Sequence, residues 1–462
     1  MSEPLKTHYA IVGAGIAGVA AAEAIREIDS VGAILLINGE AVQPYCRPLI
    51  VEVLKGERSS LDIRLRRPEW FAEKNISLVT GSPAVRLDAG RKRLDLKSGR
   101  TVEWRKLLVA TGSRPAIPPI KGLDDVASFT LAGQDDVESL KPRCKPGAKA
   151  LLVGIGLVGL QAITALTELG VEVTAVELMP KILPVILDAV AAGYAQSRLE
   201  EHGVEVHVGT AIGEVRRAAE EDRPYVAVTD KGASIPFDFI IVAAGMKPDL
   251  SLLDGSGIET DRGIRVAPDL QTSVPDVYAA GDVTEYSDWI EGRPEVHANW
   301  VNAYHQGRIA GVGMAGGIAE PYQPVHLNSL DVFGLPFITI GASRIDNPEG
   351  AEVLVTESPS RPAYTRFVVR DGRLIAATFI GDVDRAGVFH YLIRERIEVA
   401  DIVQALFEQG LEGMEFLYKL HEKTVRGDVE WAASMGLIDF FEKDPKHTRW
   451  GGKEGAERRD AR

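Results

Sequence analysis

Cysteine is almost missing from this sequence, whose 462 residues hold only Cys46 and Cys144. The two lie far apart, in neither a CxxC nor a CxxxxC pattern. That excludes a sequence-local dithiol, a disulfide framework and a Cys or Cys/His cluster for iron–sulfur or zinc within the chain, and no metal site is expected. So few thiols fit a reducing compartment, and a cytoplasmic location is expected. Positive charge is also in deficit: 52 Lys and Arg face 66 Asp and Glu, for a net charge of −14. Nucleic acid and anionic membrane are therefore poor partners, since both need a basic surface. The two most apolar stretches, "YAIVGAGIAGVAAAEAI" and "ALLVGIGLVGLQAITALTELG", are interrupted by Glu23 and by Gln161 and Glu168. Both are glycine-rich in their first half, which fits a buried strand, turn and helix better than a membrane span or signal peptide.

What is present is a repeated grammar. Hydrophobic content of 45% and charged content of 26% are ordinary for a globular protein. The length implies two to four domains of roughly 100–200 residues each. An apolar run at 9–12 leads into Gly13-Ala14-Gly15-Ile16-Ala17-Gly18, an alanine-rich helix to about residue 28, and a second run at 33–37. The order returns at 149–153, Gly154-Ile155-Gly156-Leu157-Val158-Gly159, a helix to about 169 and a strand at 171–176. Continuous apolar runs predict parallel strands covered on both faces. Two copies this far apart predict two nucleotide-binding domains.

The glycines have separable tasks. The first permits a tight turn, the second lets backbone approach a pyrophosphate, and the third lets helix pack on sheet. The helix N-terminus then offers free N–H groups and partial positive charge to the phosphates. Glu177 ends the second unit's last strand, close to the expected spacing of about 20 residues. A carboxylate there accepts from a free ribose 2′-hydroxyl and repels a 2′-phosphate, which favours NAD(H) over NADP(H), with Lys181 nearby as a counterweight. In the first unit Glu40 is the candidate for the equivalent ribose contact, with a solvated loop acid as the other reading.

"WRKLLVATGSRPAIPPIKG" and "FDFIIVAAGMKPDLSLL" each run from strand through a glycine turn into a linker. From about 325, strand-like runs and a helical "AGVFHYLIRERI" predict a separate α+β domain, with "RDG" as a turn between two strands. Val399, Ile402, Val403 and Leu406 follow helical spacing, and the last dozen residues lack any apolar side chain and read as disordered. The fold class expected is α/β, with two Rossmann-like dinucleotide-binding domains, a C-terminal α+β domain and a helical extension.

These ordered motifs, across about residues 8 to 395, resemble the FAD- and NAD(P)-dependent pyridine nucleotide-disulfide oxidoreductase superfamily. Within it the chain is most similar to rubredoxin reductases, ferredoxin reductases of oxygenase systems and the flavin domain of assimilatory nitrite reductases. The resemblance implies a glutathione-reductase-like layout: a discontinuous FAD-binding domain at 1–115 and 246–324, an NAD-binding domain at 116–245, a C-terminal α+β interface domain at 325–398 and the extension at 399–462. It assigns Gly13, Gly15 and Gly18 to FAD, and Gly154, Gly156 and Gly159 to NAD(H). Ala110, Thr111 and Gly112 match the "ATG" turn beside the flavin dinucleotide. "VYAAGDV", with Gly281 and Asp282, matches the second FAD motif, whose aspartate binds the ribityl chain. "YCRP" matches a Y-x-R-P turn whose arginine, here Arg47, pairs with the pyrophosphate, a task suited to a guanidinium fork. Val85 falls where backbone groups meet the adenine. Asn299 and Trp300 open the helix whose start points at the flavin ring. For Trp300, core packing is the other reading.

The departures bear on chemistry. Gln161 stands where many relatives have Glu beside the nicotinamide, and an amide can still bond a carboxamide. Glu52 replaces a lysine found near flavin N5 in ferredoxin reductases, and reads either as a flavin neighbour or as a surface salt-bridge residue. No dithiol and no C-terminal His–Glu motif carries over. The one-cysteine branch places its thiol at the slot of Pro48, not Cys46, so Cys46 and Glu52 remain the catalytic candidates of a flavin-mediated reaction. The expected function is electron passage between NAD(H) and an iron–sulfur or rubredoxin/ferredoxin-type carrier or partner subunit. The alternatives are an NADH oxidase or coenzyme A disulfide reductase acting on a small acceptor, and a non-catalytic flavin-binding sensor. Trp431, Phe440 and Phe441 in the extension fit either a docking surface for a larger complex or a helix packed on its own chain.

Overall fold

The computed structural model describes residues 3–218, 223–346, 348–358, 362–384 and 386–400. The chain divides into two compact units, Met1–Glu398 and Val399–Arg462. The helix expected from 399 onward, the three aromatics of the extension and the polar tail lie outside the described residues.

The first unit is built on two parallel sheets. In one, Leu5–Val12 lies between Ile34–Ile37 and Thr101–Val109, with Ile76–Val79 outside Ile34–Ile37. Their buried Val, Leu and Ile side chains face layers on both sides, as the unbroken apolar runs demand. The register aligns Val12 with Ile37 and with Val109, so the loops leaving these strands emerge at one edge. Val277–Ala279, from much later in the chain, pairs in parallel with Thr101–Val109 and sets Ala279 opposite Val109. The antiparallel strands Ala84–Asp88 and Arg93–Leu96 extend the other side.

The second sheet orders Glu205–His207, Glu172–Val176, Lys149–Val153, Phe239–Val242 and Ser128–Phe129, all parallel. The two linkers noticed in the sequence pair with each other: Ser113–Pro115 and Met246–Pro248 form an antiparallel ribbon. The chain therefore leaves and re-enters the first sheet's surroundings through one two-stranded hinge. Among the described residues, a five-stranded antiparallel sheet has Leu327–Val332 and Glu352–Glu357 at its edges and Arg373–Ile380 at its centre, and carries the helix Ala386–Arg394. Its strands Tyr364–Arg370 and Arg373–Ile380 are joined at Asp371 and Gly372, whose φ values are +50° and +70°. Two positive φ angles match the twist of a tight hairpin, as "RDG" suggested.

The helices Ile16–Ile28 and Trp300–Met314 pack at backbone contact. A Cβ on Gly307 would stand 2.2 Å from Ala17 O, and one on Gly311 would stand 2.5 Å from Ala21 O. Among the described residues no helix is long and apolar enough to cross a membrane.

Gly307→Ala is expected to destabilise the protein by about 1–3 kcal/mol through overpacking. Gly193→Ala, at an open helical position, is expected to stabilise it by about 0.5–1 kcal/mol. Chemical denaturation of both variants checks the contrast.

Candidate functional site

The two glycine loops have the same division of labour. In the first, Gly13 has φ +106° and an added Cβ would lie 2.0 Å from Ala110 O. At Gly18 the clash would be with Gly13 O, at 1.9 Å, while Gly15 has nothing within 4 Å. In the second, an added Cβ on Gly154 (φ +98°) would lie 2.5 Å from Ala243 O, one on Gly159 would lie 2.0 Å from Gly154 O, and Gly156 is again open. Two glycines per loop are thus required by the protein's own backbone. The third faces free space beside the N-terminus of a helix, where a phosphate can approach. This pair of preformed cradles fits two dinucleotides.

Around the first cradle, Ala110 N donates to Val12 O at 2.7 Å, and Thr111 Oγ1 donates to Asp249 O at 2.9 Å. Gly112 turns the chain with φ +71° and accepts from Asp249 N. The strand Val277–Ala279 delivers Gly281 and Asp282 to the same edge. Ser113 Oγ donates to Asp282 Oδ2 at 2.9 Å. Burial pushes the Asp282 carboxyl above its ordinary range, although Ser113 and Arg47 pull the other way. Gly281 N donates to Gln306 Oε1 at 2.6 Å, which ties the loop to the helix Trp300–Met314. Ser113 and Gln306 were not legible as site residues, because their roles depend on pairing between segments remote in sequence.

Asn299 caps that helix: its Oδ1 accepts from Val301 N and Asn302 N, and its Nδ2 donates to Leu327 O. Trp300 follows it, 40% exposed and stacked near Tyr304, which is not the setting of a core residue.

Glu40 and Arg47, expected at separate parts of a dinucleotide, are brought into one knot. The Arg47 guanidinium pairs with the Glu40 carboxylate and donates to Tyr45 Oη at 3.0 Å and Ala132 O at 2.5 Å. Tyr45 in turn donates to Glu40 Oε2 at 2.8 Å, so the tyrosine of Y-x-R-P orients both charges. Asp282 also acts on Arg47 electrostatically. Val85 lies on the strand Ala84–Asp88 with its side chain exposed to solvent.

At the second cradle Glu177 is buried, and its oxygens accept from Ile155 N at 2.8 Å and Met179 N at 2.9 Å. Its carboxylate thus sits against the loop itself. Lys181, the counterweight suspected from the sequence, is drawn to Asp346 Oδ2 at 2.8 Å. Gln161 is exposed on the helix Leu157–Glu168.

The catalytic candidates have other surroundings. Glu52 lies on the short helix Ile50–Lys55, 3.5 Å from Lys55, in a cluster with Glu57, Arg58 and Asp62. Its hydrogen bond with Glu57 raises its carboxyl above the usual range. These are the contacts of a surface salt-bridge residue. Cys46 and Cys144 are both free. Burial pushes the Cys46 thiol up and that of Cys144 up to about 11, so both are protonated and poorly nucleophilic at neutral pH.

Residues 7–307 match the sequence model of the pyridine nucleotide-disulphide oxidoreductases, and residues 327–397 match that of the rubredoxin NAD+ reductase C-terminal domain. The NADH-dependent phenylglyoxylate dehydrogenase subunit epsilon of Aromatoleum evansii is 32% identical over 83% of this chain and 88% of its own length. The NADH-rubredoxin oxidoreductase of Clostridium acetobutylicum is 28% identical over 82% of this chain and 92% of its own. Among solved structures, the covalent putidaredoxin reductase–putidaredoxin complex shares the fold, with a TM-score of 0.80 and 22% identity over 89% of this chain and 98% of that one.

Gly15→Val is expected to leave the fold stable to within about 1 kcal/mol, since its site is open and its φ of −68° is ordinary. It should nonetheless copurify with far less flavin. Gly13→Val should lose both fold and flavin. Unfolding midpoints and the flavin-to-protein absorbance ratio separate the two effects.

Proposed function

The chain belongs to the pyridine nucleotide-disulphide oxidoreductase family and is an FAD-dependent NAD(H) oxidoreductase; from that premise we propose that it passes electrons between NAD(H) and a one-electron carrier. The carrier is an iron–sulfur protein of rubredoxin or ferredoxin type, free or as a partner subunit. One observation carries this reading: two complete cradles stand in a chain whose only two thiols are unpaired and held protonated. A disulfide relay has no parts here. FAD held in the first cradle would supply the chemistry that links the two partners, taking one hydride with its two electrons from NADH and giving the electrons up one at a time to a one-electron acceptor.

The protein's contribution is position and electrostatics. The domains divide as 1–115 with 246–324 for FAD, 116–245 for NAD(H), and 325–398 as the interface domain. Gly15 and Gly156 admit the pyrophosphates, and Arg47, held ready by Glu40 and Tyr45, clamps the first. Asp282, oriented by Ser113, receives the ribityl hydroxyls. Thr111 and Gly112 hold the turn beside it, and Asn299 aims the start of the Trp300–Met314 helix at the ring. Glu177 lines the adenosine end of the second cradle and disfavours a 2′-phosphate, with Lys181 withdrawn by Asp346. Gln161 meets the nicotinamide carboxamide. The scarcity of cysteine, with both thiols unpaired, supports a place in the cytoplasm. Relatives that are NADH-rubredoxin oxidoreductase and a dehydrogenase subunit support both forms of the carrier.

The test is NADH-driven reduction of a purified rubredoxin or ferredoxin by the full chain, with size-exclusion of the protein from its own source. A lone monomer that reduces neither carrier overturns the proposal. Cys46→Ser should hold carrier reduction within about twofold of the parent. If that variant instead lost turnover, direct thiol chemistry on a small acceptor would replace the reading. NADH should exceed NADPH in kcat/KM by at least about tenfold, a difference of about 1.4 kcal/mol, and equal values would remove Glu177 from cofactor selection.

A further inference from the structure

A second cluster of chemically able side chains lies outside both cradles. Asp288, His297 and His326 present one ligand atom each, all within 4.8 Å of one another. They come from three segments: the end of the strand Thr284–Asp288, the stretch before the helix Trp300–Met314, and the residue before the strand Leu327–Val332. The sequence held no signal for this, because no two of the three share a metal-binding spacing.

We propose that Asp288, His297 and His326 form a binding site for a divalent first-row transition-metal ion. Asp288 is fully buried, and its Oδ1 accepts from Ile290 N at 2.7 Å and Glu291 N at 3.1 Å. Those backbone donors fix the carboxylate and leave Oδ2 as a single forward ligand, the outer support that metal sites require. His326 Nε2 stands 3.1 Å from Oδ2, and His297 Nε2 stands 3.2 Å from the same atom. Ligands bound 2.0–2.2 Å from one ion at tetrahedral or right angles lie about 2.9–3.4 Å apart, so both spacings suit coordination.

Alignment argues the same way. His297 Nε2 is buried and, despite that distance, has no properly directed hydrogen bond. A purely hydrogen-bonded triad would leave this nitrogen wasted, whereas an ion between the three ligands satisfies it. The two imidazole rings, with centroids 3.1 Å apart, crowd below ordinary van der Waals distance, so binding one ion through both nitrogens requires the rings to swing apart. Two imidazoles and one carboxylate suit zinc or ferrous iron and leave further positions for water.

The ion would join segments that otherwise meet through Asn299 Nδ2 and Leu327 O, 2.8 Å apart. It would thereby fasten the start of the C-terminal sheet to the approach of the Trp300–Met314 helix. The role assigned is that of a structural clamp, with affinity that adds to folding stability.

The experiment uses the full-length flavin-loaded protein, stripped with a chelator and titrated with Zn²⁺ alone, which by the order of divalent affinities also binds a site built for iron. The expected result is one equivalent taken up, with a rise in unfolding midpoint, and at least tenfold weaker uptake by His326→Gln and by Asp288→Asn. No stoichiometric uptake by the parent protein overturns the site, as does unchanged uptake by both folded variants. Should both variants fail to fold, X-ray absorption of the Zn²⁺-loaded parent decides. A shell of two imidazole nitrogens with oxygen supports the proposal, and one without imidazole overturns it.

Discussion

Backbone-to-backbone contact through glycine is the constraint on which the layer around the first glycine loop rests. Gly13 lies on Ala110 O, Gly18 lies on Gly13 O, and Gly307 and Gly311 lie on Ala17 and Ala21. These contacts draw the first cradle, the "ATG" turn and the Trp300–Met314 helix into one layer with no room for a methyl group between them. Interiors packed this closely transmit any added atom to their neighbours. The same layer receives Val277–Ala279 from the far end of the domain, so Asp282 arrives beside Ser113 through strand pairing and not through sequence proximity.

The second glycine loop repeats the first, but its surroundings differ. Glu177 spans the loop by accepting from Ile155 N and Met179 N, and Asp346 pairs with Lys181 at 2.8 Å. At the first cradle the acid and the base are instead paired through Tyr45. The ion pair with Glu40 and the bonds to Tyr45 and Ala132 hold the Arg47 guanidinium in place. The paired linkers at 113–115 and 246–248 join the segments that leave and re-enter the first sheet, and Ser113 at the ribbon's end touches Asp282.

Chemistry by a disulfide relay is absent for a physical reason as well as a compositional one. Cys46 occupies the variable position of Y-x-R-P, where its carbonyl accepts from Leu49 N and its thiol is desolvated. No cation lowers the thiol's pKa enough to make it a nucleophile. Glu52, the other departure from the nearest reductases, is engaged with Lys55 and Glu57 at the surface. What remains for the protein to supply is alignment of two cofactors and a face for the acceptor.

The α/β class and the two glycine loops that open helices after apolar strands were legible from the residues alone. Apolar runs, glycine spacing and a strand-end acid are local signals, each interpretable within some thirty residues. The helix ends near 28 and 168 and the Asp371-Gly372 hairpin were legible for the same reason. Only the tertiary structure decided that Glu40 and Arg47 share one knot, that Ser113 and Gln306 brace the Asp282 loop, and that Lys181 faces Asp346. It alone brought Asp288, His297 and His326 together. Each of these depends on strand register and helix contact between segments separated by tens to hundreds of residues, and no local pattern encodes such contacts.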